Sequence, residues 1–137
     1  VAIVTGGASV IGLGIASTLI ANGYYVFVLD NNLQQVEEYN GSHPLSRERF
    51  CDVSDATAVA TEIDGVLHVA GRIDLLVNNA GISGPTAPVE AVDPSEWQKT
   101  LDVGLTGAFN VTRSVAPIMK AQASINIPVL IIIVPPK

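Results

Sequence analysis

The stretch VAIVTGGASVIGLG, residues 1 to 14, constrains the fold more than any other part of the chain. A β-branched apolar run ends in a glycine-rich turn and passes straight into a segment of helical period, which carries Ile15, Leu19 and Ile20 on one face. A helix N-terminus offers backbone N–H groups without intrahelical partners and a partial positive charge, and glycines let an anion come close enough to use both. The turn is therefore a candidate cradle for a dinucleotide's pyrophosphate. A second apolar run, Tyr25 to Leu29, ends in Asp30, 18 positions beyond Gly12. That is near the spacing of roughly 20 at which an acidic residue accepts from a ribose 2′-hydroxyl.

Short apolar runs then alternate with longer stretches of helical period. Strands are expected near residues 1 to 5, 25 to 29, 48 to 51, 74 to 77 and 125 to 134. Between them, Gly12 to Asn22 reads as a helix, Leu33 to Tyr39 as a short acidic helix, and Ala56 to Val69 as a helix with Val59, Ile63, Val66 and Leu67 on its apolar face. Asp93-Pro94-Ser95-Glu96 reads as an N-cap, a proline at the first helical position and a glutamate reaching back. A long helix should follow through Leu101, Leu105, Ala108, Val111, Val115 and Met119, kinked at Pro117. This β-α-β-α rhythm predicts an α/β fold: one Rossmann-type domain over residues 1–137, a doubly wound parallel sheet with helices on both faces, truncated after the fifth strand.

The glycine spacing also points to a family. Thr5-Gly6-x-x-x-Val10-x-Gly12 resembles the T-G-x-x-x-G-x-G fingerprint of the short-chain dehydrogenase/reductases, and Asn78-Asn79-Ala80-Gly81 resembles their N-N-A-G motif. Cys51-Asp52-Val53 resembles the D-V that ends the third strand, and Asp102-Val103-Gly104-Leu105-Thr106-Gly107 resembles the helix segment x-V-N-L-x-G. The motifs occur in the family's order and cover roughly residues 1 to 127.

The resemblance implies a cofactor site. Gly6 and Gly12 would shape the turn, Ser9 and Ile11 would border the phosphates and ribose, and Asp30 would hold the adenosine ribose diol. A carboxylate there repels a 2′-phosphate, which favours NAD over NADP. Asp52 and Val53 would flank the adenine, while Asn79, Ala80 and Gly81, at the carboxyl end of the fourth strand, would line the crevice at the topological switch point. The plainer alternative is that the glycines only make a tight turn and Asp30 only caps the next helix. Val10 stands where the family has its middle glycine, and its branched side chain is expected to crowd the pyrophosphate or strain the backbone.

The catalytic half reads differently. In the family a Tyr hydroxyl, its pKa lowered by a Lys four residues later, exchanges a proton with the substrate, a Ser holds the substrate oxygen, and hydride moves to or from nicotinamide. This chain has no Tyr-x-x-x-Lys: Tyr24, Tyr25 and Tyr39 are followed four residues on by Val28, Leu29 and His43. Ser124-Ile125-Asn126-Ile127 resembles the strand that leads to the catalytic serine, but Pro128 and Val129 occupy the serine positions. The family's helix Asn is replaced by Gly104. No catalytic residue is assigned, and the 137-residue chain alone is expected to be inactive.

Composition narrows the remaining classes. A formal charge of −6 with seven Lys plus Arg argues against a nucleic-acid or anionic-membrane surface. The lone Cys51 excludes an intrachain disulfide framework, and with only His43 and His68 no Cys/His metal site is expected. No targeting signal is legible and no apolar run approaches the ~20 residues of a membrane helix, so a cytoplasmic setting is the default. Arg47 and Arg49 are read as surface ion-pair residues, and Trp97 as a packing residue. The family's domain is roughly twice this length, Val1 is not a start methionine, and the tail Ile127 to Lys137 has no counterpart in the family pattern. A piece of a longer NAD-dependent dehydrogenase acting on a small alcohol or ketone is expected, commonly a dimer or tetramer. The alternatives are a truncated inactive relative that serves as a non-catalytic dinucleotide-binding or assembly module, and a deliberately minimal chain.

Overall fold

The computed structural model describes residues 1–32 and 43–123 and the backbone of residues 130–133. Five strands, β1 (Ala2–Thr5), β2 (Val26–Asp30), β3 (Ser46–Phe50), β4 (Leu75–Asn78) and β5 (Leu130–Ile133), form one parallel sheet in the order β3-β2-β1-β4-β5. The chain moves outward from β1 to β3, then crosses to the far side of β1 for β4. A crevice between the carboxyl ends of β1 and β4 results, which is where doubly wound sheets bind ligands. The short acidic helix expected at Leu33 to Tyr39 and the serine-replacing Pro128 and Val129 lie outside the described residues.

Strands β1, β2 and β4 are buried along their whole length, as a parallel sheet covered on both faces requires. Helix α1 (Val10–Ala21) packs on the face carrying Ala2, Val4, Val26, Val28, Leu75 and Val77. Its contact row is Gly12, Ala16 and Ile20, with Ile15 and Leu19 flanking it. The row thus begins with two small residues, which set the helix close to the sheet, rather than with the larger side chains that the apolar pattern picks out. The opposite face, built on Ile3, Phe27, Leu29 and Leu76, is covered by α2 (Ala56–Ala70) through Val59, Ile63 and Val66 and by α4 (Gly107–Ala123) through Val111, Val115 and Met119. Each such fully buried side chain contributes about 1.5–3 kcal/mol over its exposed state. Asp55 caps α2 by accepting from the N–H groups of Thr57 (2.8 Å) and Ala58 (3.1 Å), and Gly71 ends it in the left-handed region at φ 71°.

Strand β3 lies at the sheet edge and starts two residues before its expected position. It reads Ser46-Arg47-Glu48-Arg49-Phe50, an alternation that places charge on an open edge instead of an apolar run. Arg47 lies over the Tyr25 ring at 5.6 Å, and Arg49 pairs with Glu62.

The expected long helix is three segments: α3 (Pro94–Leu101), capped by Asp93 accepting from the Ser95 N–H at 2.7 Å, a π-helical turn at Asp102–Thr106, and α4, which contains Pro117. A π turn inserts one residue into the helical repeat and shifts the face that follows. Leu105, expected in the apolar row, is consequently exposed, and Gly107 is buried against Val53 instead.

Candidate functional site

A cavity of about 210 Å³ opens at the carboxyl edge of β1, β2 and β4. Its floor is the glycine loop. Gly6 adopts φ 59°, which a side chain rarely tolerates, and a Cβ there would lie 2.9 Å from the Ala80 Cα. A Cβ on Gly12 would meet the Gly6 carbonyl oxygen at 2.2 Å, so the start of α1 touches the loop directly. The first bond of the helical ladder runs from the Leu13 N–H to the Ser9 carbonyl at 2.7 Å. The N–H groups of Val10, Ile11 and Gly12 precede that ladder and have no acceptor within the helix.

The loop is locked from β4. The Thr5 hydroxyl oxygen, buried, accepts from the N–H groups of Asn79 and Ala80, both at 3.0 Å. The Asn79 amide donates to the carbonyls of Thr5 and Gly6, also at 3.0 Å. The Ser9 hydroxyl donates to the same Gly6 carbonyl at 2.7 Å. Asn78 turns the other way and donates to the Thr112 hydroxyl on α4 at 3.1 Å. At the opposite wall, Asn110 on α4 donates to the carbonyl of Val53 at 3.0 Å and so fixes the loop after β3.

Seven of the ten residues that the sequence places at a cofactor line this cavity: Gly6, Ser9, Asp30, Val53, Asn79, Ala80 and Gly81. Three do not. Gly12 is buried beneath the loop, where its role is close packing. Ile11 is half-buried in the first turn of α1 and is not among the lining residues. Asp52 is turned away: its carboxylate accepts from the N–H (2.9 Å) and hydroxyl (2.7 Å) of Ser54, closing the turn after β3. Val10 also departs from expectation. It is the first residue of α1, 91% exposed, so its side chain leaves toward solvent and does not crowd the loop.

The sequence reading missed Leu29, Asn31, Asn32, Cys51 and Val103 among the lining residues and the locking roles of Thr5 and Asn110. Thr5 and Cys51 lie within the quoted motifs, but nothing in the spacing distinguishes a lock from a contact. Burial, with a smaller contribution from Glu62, Asp52 and Asp55, pushes the Cys51 thiol up to about 11, so it is an inert wall residue at neutral pH. No Lys or Arg among the described residues lines the cavity. Among the described residues no group of three His, Cys, Asp or Glu side chains could hold a metal, and no helix is long and apolar enough to cross a membrane.

The strand order, the glycine turn between β1 and α1 and the cavity at the switch point define a Rossmann-type α/β protein. The chain belongs to the short-chain dehydrogenase family, whose model matches residues 1–130. It is 38% identical over 119 residues to a D-threitol dehydrogenase of Mycolicibacterium smegmatis, covering 84% of this chain and 45% of that protein. It is 36% identical over 118 residues to a 2-dehydro-3-deoxy-L-rhamnonate dehydrogenase (NAD(+)) of a Sphingomonas species, covering 86% and 47%. The crystal structure of a 3-ketoacyl-(acyl-carrier-protein) reductase from Brucella melitensis complexed with NADH superposes with a TM-score of 0.91 at 27% identity, covering 95% of this chain and 54% of that one. The chain therefore spans about half the length of the relatives it matches.

Proposed function

We propose that the cavity at the β1/β4 edge holds the adenosine and pyrophosphate of NAD, in a protein whose complete chain transfers hydride between nicotinamide and the carbinol or carbonyl carbon of a small alcohol or ketone. The observation that carries this reading is the pairing of a locked glycine loop with a carboxylate, Asp30, in a cavity that no Lys or Arg lines among the described residues. The N–H groups at the start of α1 would hold the pyrophosphate, Asp30 would accept from the ribose diol, and Val53 would lie against the adenine. Asn79, Ala80 and Gly81 would border the path to the nicotinamide, which supplies or receives the hydride when the cofactor is bound. A 2′-phosphate would meet Asp30 and find no Lys or Arg among the described lining residues, which favours NAD over NADP.

The second reading, a non-catalytic dinucleotide-binding or assembly module, is favoured by Gly104, which presents no side chain beside the cavity residue Val103. Titration of the purified chain with NADH and NADPH, followed by assay on secondary alcohols and ketones, separates the two. Both readings expect NADH to bind at least about tenfold tighter than NADPH, and the module reading adds an absence of turnover. Turnover by a homogeneous 137-residue chain overturns the module, and equal binding of both cofactors overturns the assigned preference. We assign the protein to a cytoplasmic homo-oligomer that binds neither nucleic acid nor membrane. The buried, reduced Cys51 and the net negative charge support the setting, and Trp97, Leu105 and Phe109, all more than half exposed along the α3 to α4 segment, support the assembly.

A further inference from the structure

We infer that Asp30 is a positioning residue for the phosphate loop as well as a ribose ligand, so that one carboxylate couples the pyrophosphate and diol subsites. The geometry is specific. Asp30 ends β2, is 7% exposed, and lines the cavity. One carboxylate oxygen, Oδ2, accepts from the backbone N–H of Ala8, in the outer limb of the glycine loop, at 3.1 Å. The other, Oδ1, accepts from the Asn32 N–H at 3.0 Å and shapes the turn that follows β2. The loop's inner limb is held to β2 by the Gly6 N–H on the Leu29 carbonyl at 2.7 Å and to β4 by Thr5 and Asn79. The outer limb, Gly7 to Ser9, folds back on Gly6 through Ser9, and the Asp30 carboxylate ties it to β2.

A carboxylate has about four acceptor positions on its two oxygens. Among the described residues two are used, by Ala8 and Asn32, which leaves one on each oxygen for the two hydroxyls of a ribose. The same side chain can therefore hold the loop before a ligand arrives and the diol afterwards. Removing it should weaken ligands that have a pyrophosphate and no diol. Exchanging Asp30 for a neutral residue should consequently weaken NADP as well as NAD rather than convert the site from one to the other. This ligand-based part rests on the cofactor reading above; the loop tie itself does not.

The test uses two ligands and one ligand-free observable on the wild-type chain, Asp30→Ala and Asp30→Asn. Calorimetric titration with ADP and with 2′,3′-dideoxy-ADP separates the diol from the loop, because only ADP has the diol. A hydrogen bond to a charged group is worth roughly tenfold or more in affinity. The dideoxy ligand should thus weaken about tenfold in Asp30→Ala, with ADP weakening further. In the ligand-free protein the Ala8 amide should exchange with solvent about tenfold faster in Asp30→Ala. Asp30→Asn should fall between, since a single carbonyl oxygen cannot serve Ala8 and Asn32 in their present geometry; it also carries the test if the alanine variant does not fold. Dideoxy-ADP affinity and Ala8 exchange both unchanged within about twofold would overturn the inference and leave the cofactor reading standing. If neither ligand binds the wild-type chain, the cofactor reading fails, and Ala8 exchange alone decides the tie.

Discussion

Two glycines, Gly12 at the start of α1 and Gly104 in the π turn, separate the molecule into a half whose geometry is closed and a half whose chemistry is open. At Gly12 an added Cβ would sit 2.2 Å from the Gly6 carbonyl, and the surrounding loop is fixed by hydrogen bonds that the Thr5 hydroxyl accepts and the Asn79 and Ser9 side chains donate. At Gly104 an added Cβ would meet nothing within 4 Å. The first glycine is a requirement of packing, whereas the second is an unused place where a side chain would fit. The cofactor edge therefore depends on backbone placed by small residues, while the π turn beside it lacks the side chain that the family places there.

The largest expected effect follows from that contrast. Gly12→Ala forces backbone apart from backbone and should destabilise the fold by about 3 kcal/mol and abolish NADH binding, read by thermal melting and by titration. Thr5→Val removes the buried acceptor of two N–H groups and should cost about 2 kcal/mol, with a matching loss of NADH affinity. An unchanged melting temperature in either variant would mean that the loop is not locked from β4.

Gly104→Ala should act in the opposite direction and stabilise by about 0.5–1 kcal/mol, the usual penalty of glycine inside a helix. A loss of stability there would show that the π turn needs glycine and would erase the comparison. A further effect, confined to alkaline pH, concerns Cys51. Its folded pKa of about 11 lies above the ordinary 9.0, so the thiol form favours the folded state. The Cys51 contribution is fully present below pH 9 and declines as pH rises from 9 toward 11. Wild type should lose stability over that range relative to Cys51→Ala, measured by urea unfolding at each pH. The thiol should also react slowly with iodoacetamide at pH 8.

Much of this was legible in the sequence for identifiable reasons. Strands β1, β2 and β4 stand out because a sheet covered on both faces needs continuous apolar runs. Helices α1, α2 and α3 begin within two residues of their expected starts because apolar residues recur at helical period along α1 and α2, and Asp93 with Pro94 marks the N-terminus of α3. Strand β3 was displaced because an edge strand reading Ser-Arg-Glu-Arg carries no apolar signal. The π turn was invisible because a one-residue insertion leaves Leu105 in an unbroken helical pattern. At the site, the motifs identified the neighbourhood but not the division of labour: Gly12 packs, Asp52 closes a turn, and Val10 points outward because it begins a helix instead of lying in the loop.

The central claim is that ligand binding belongs to the closed edge and not to the helical segment beside it. The most direct measurement is residue-resolved amide exchange of the intact chain with and without saturating NADH. Protection confined to residues 6–12, 30–32, 51–53 and 79–82, with residues 107–123 unchanged, is the expected result. Absence of protection in the glycine loop, or protection only along the α3 to α4 segment, would contradict the account.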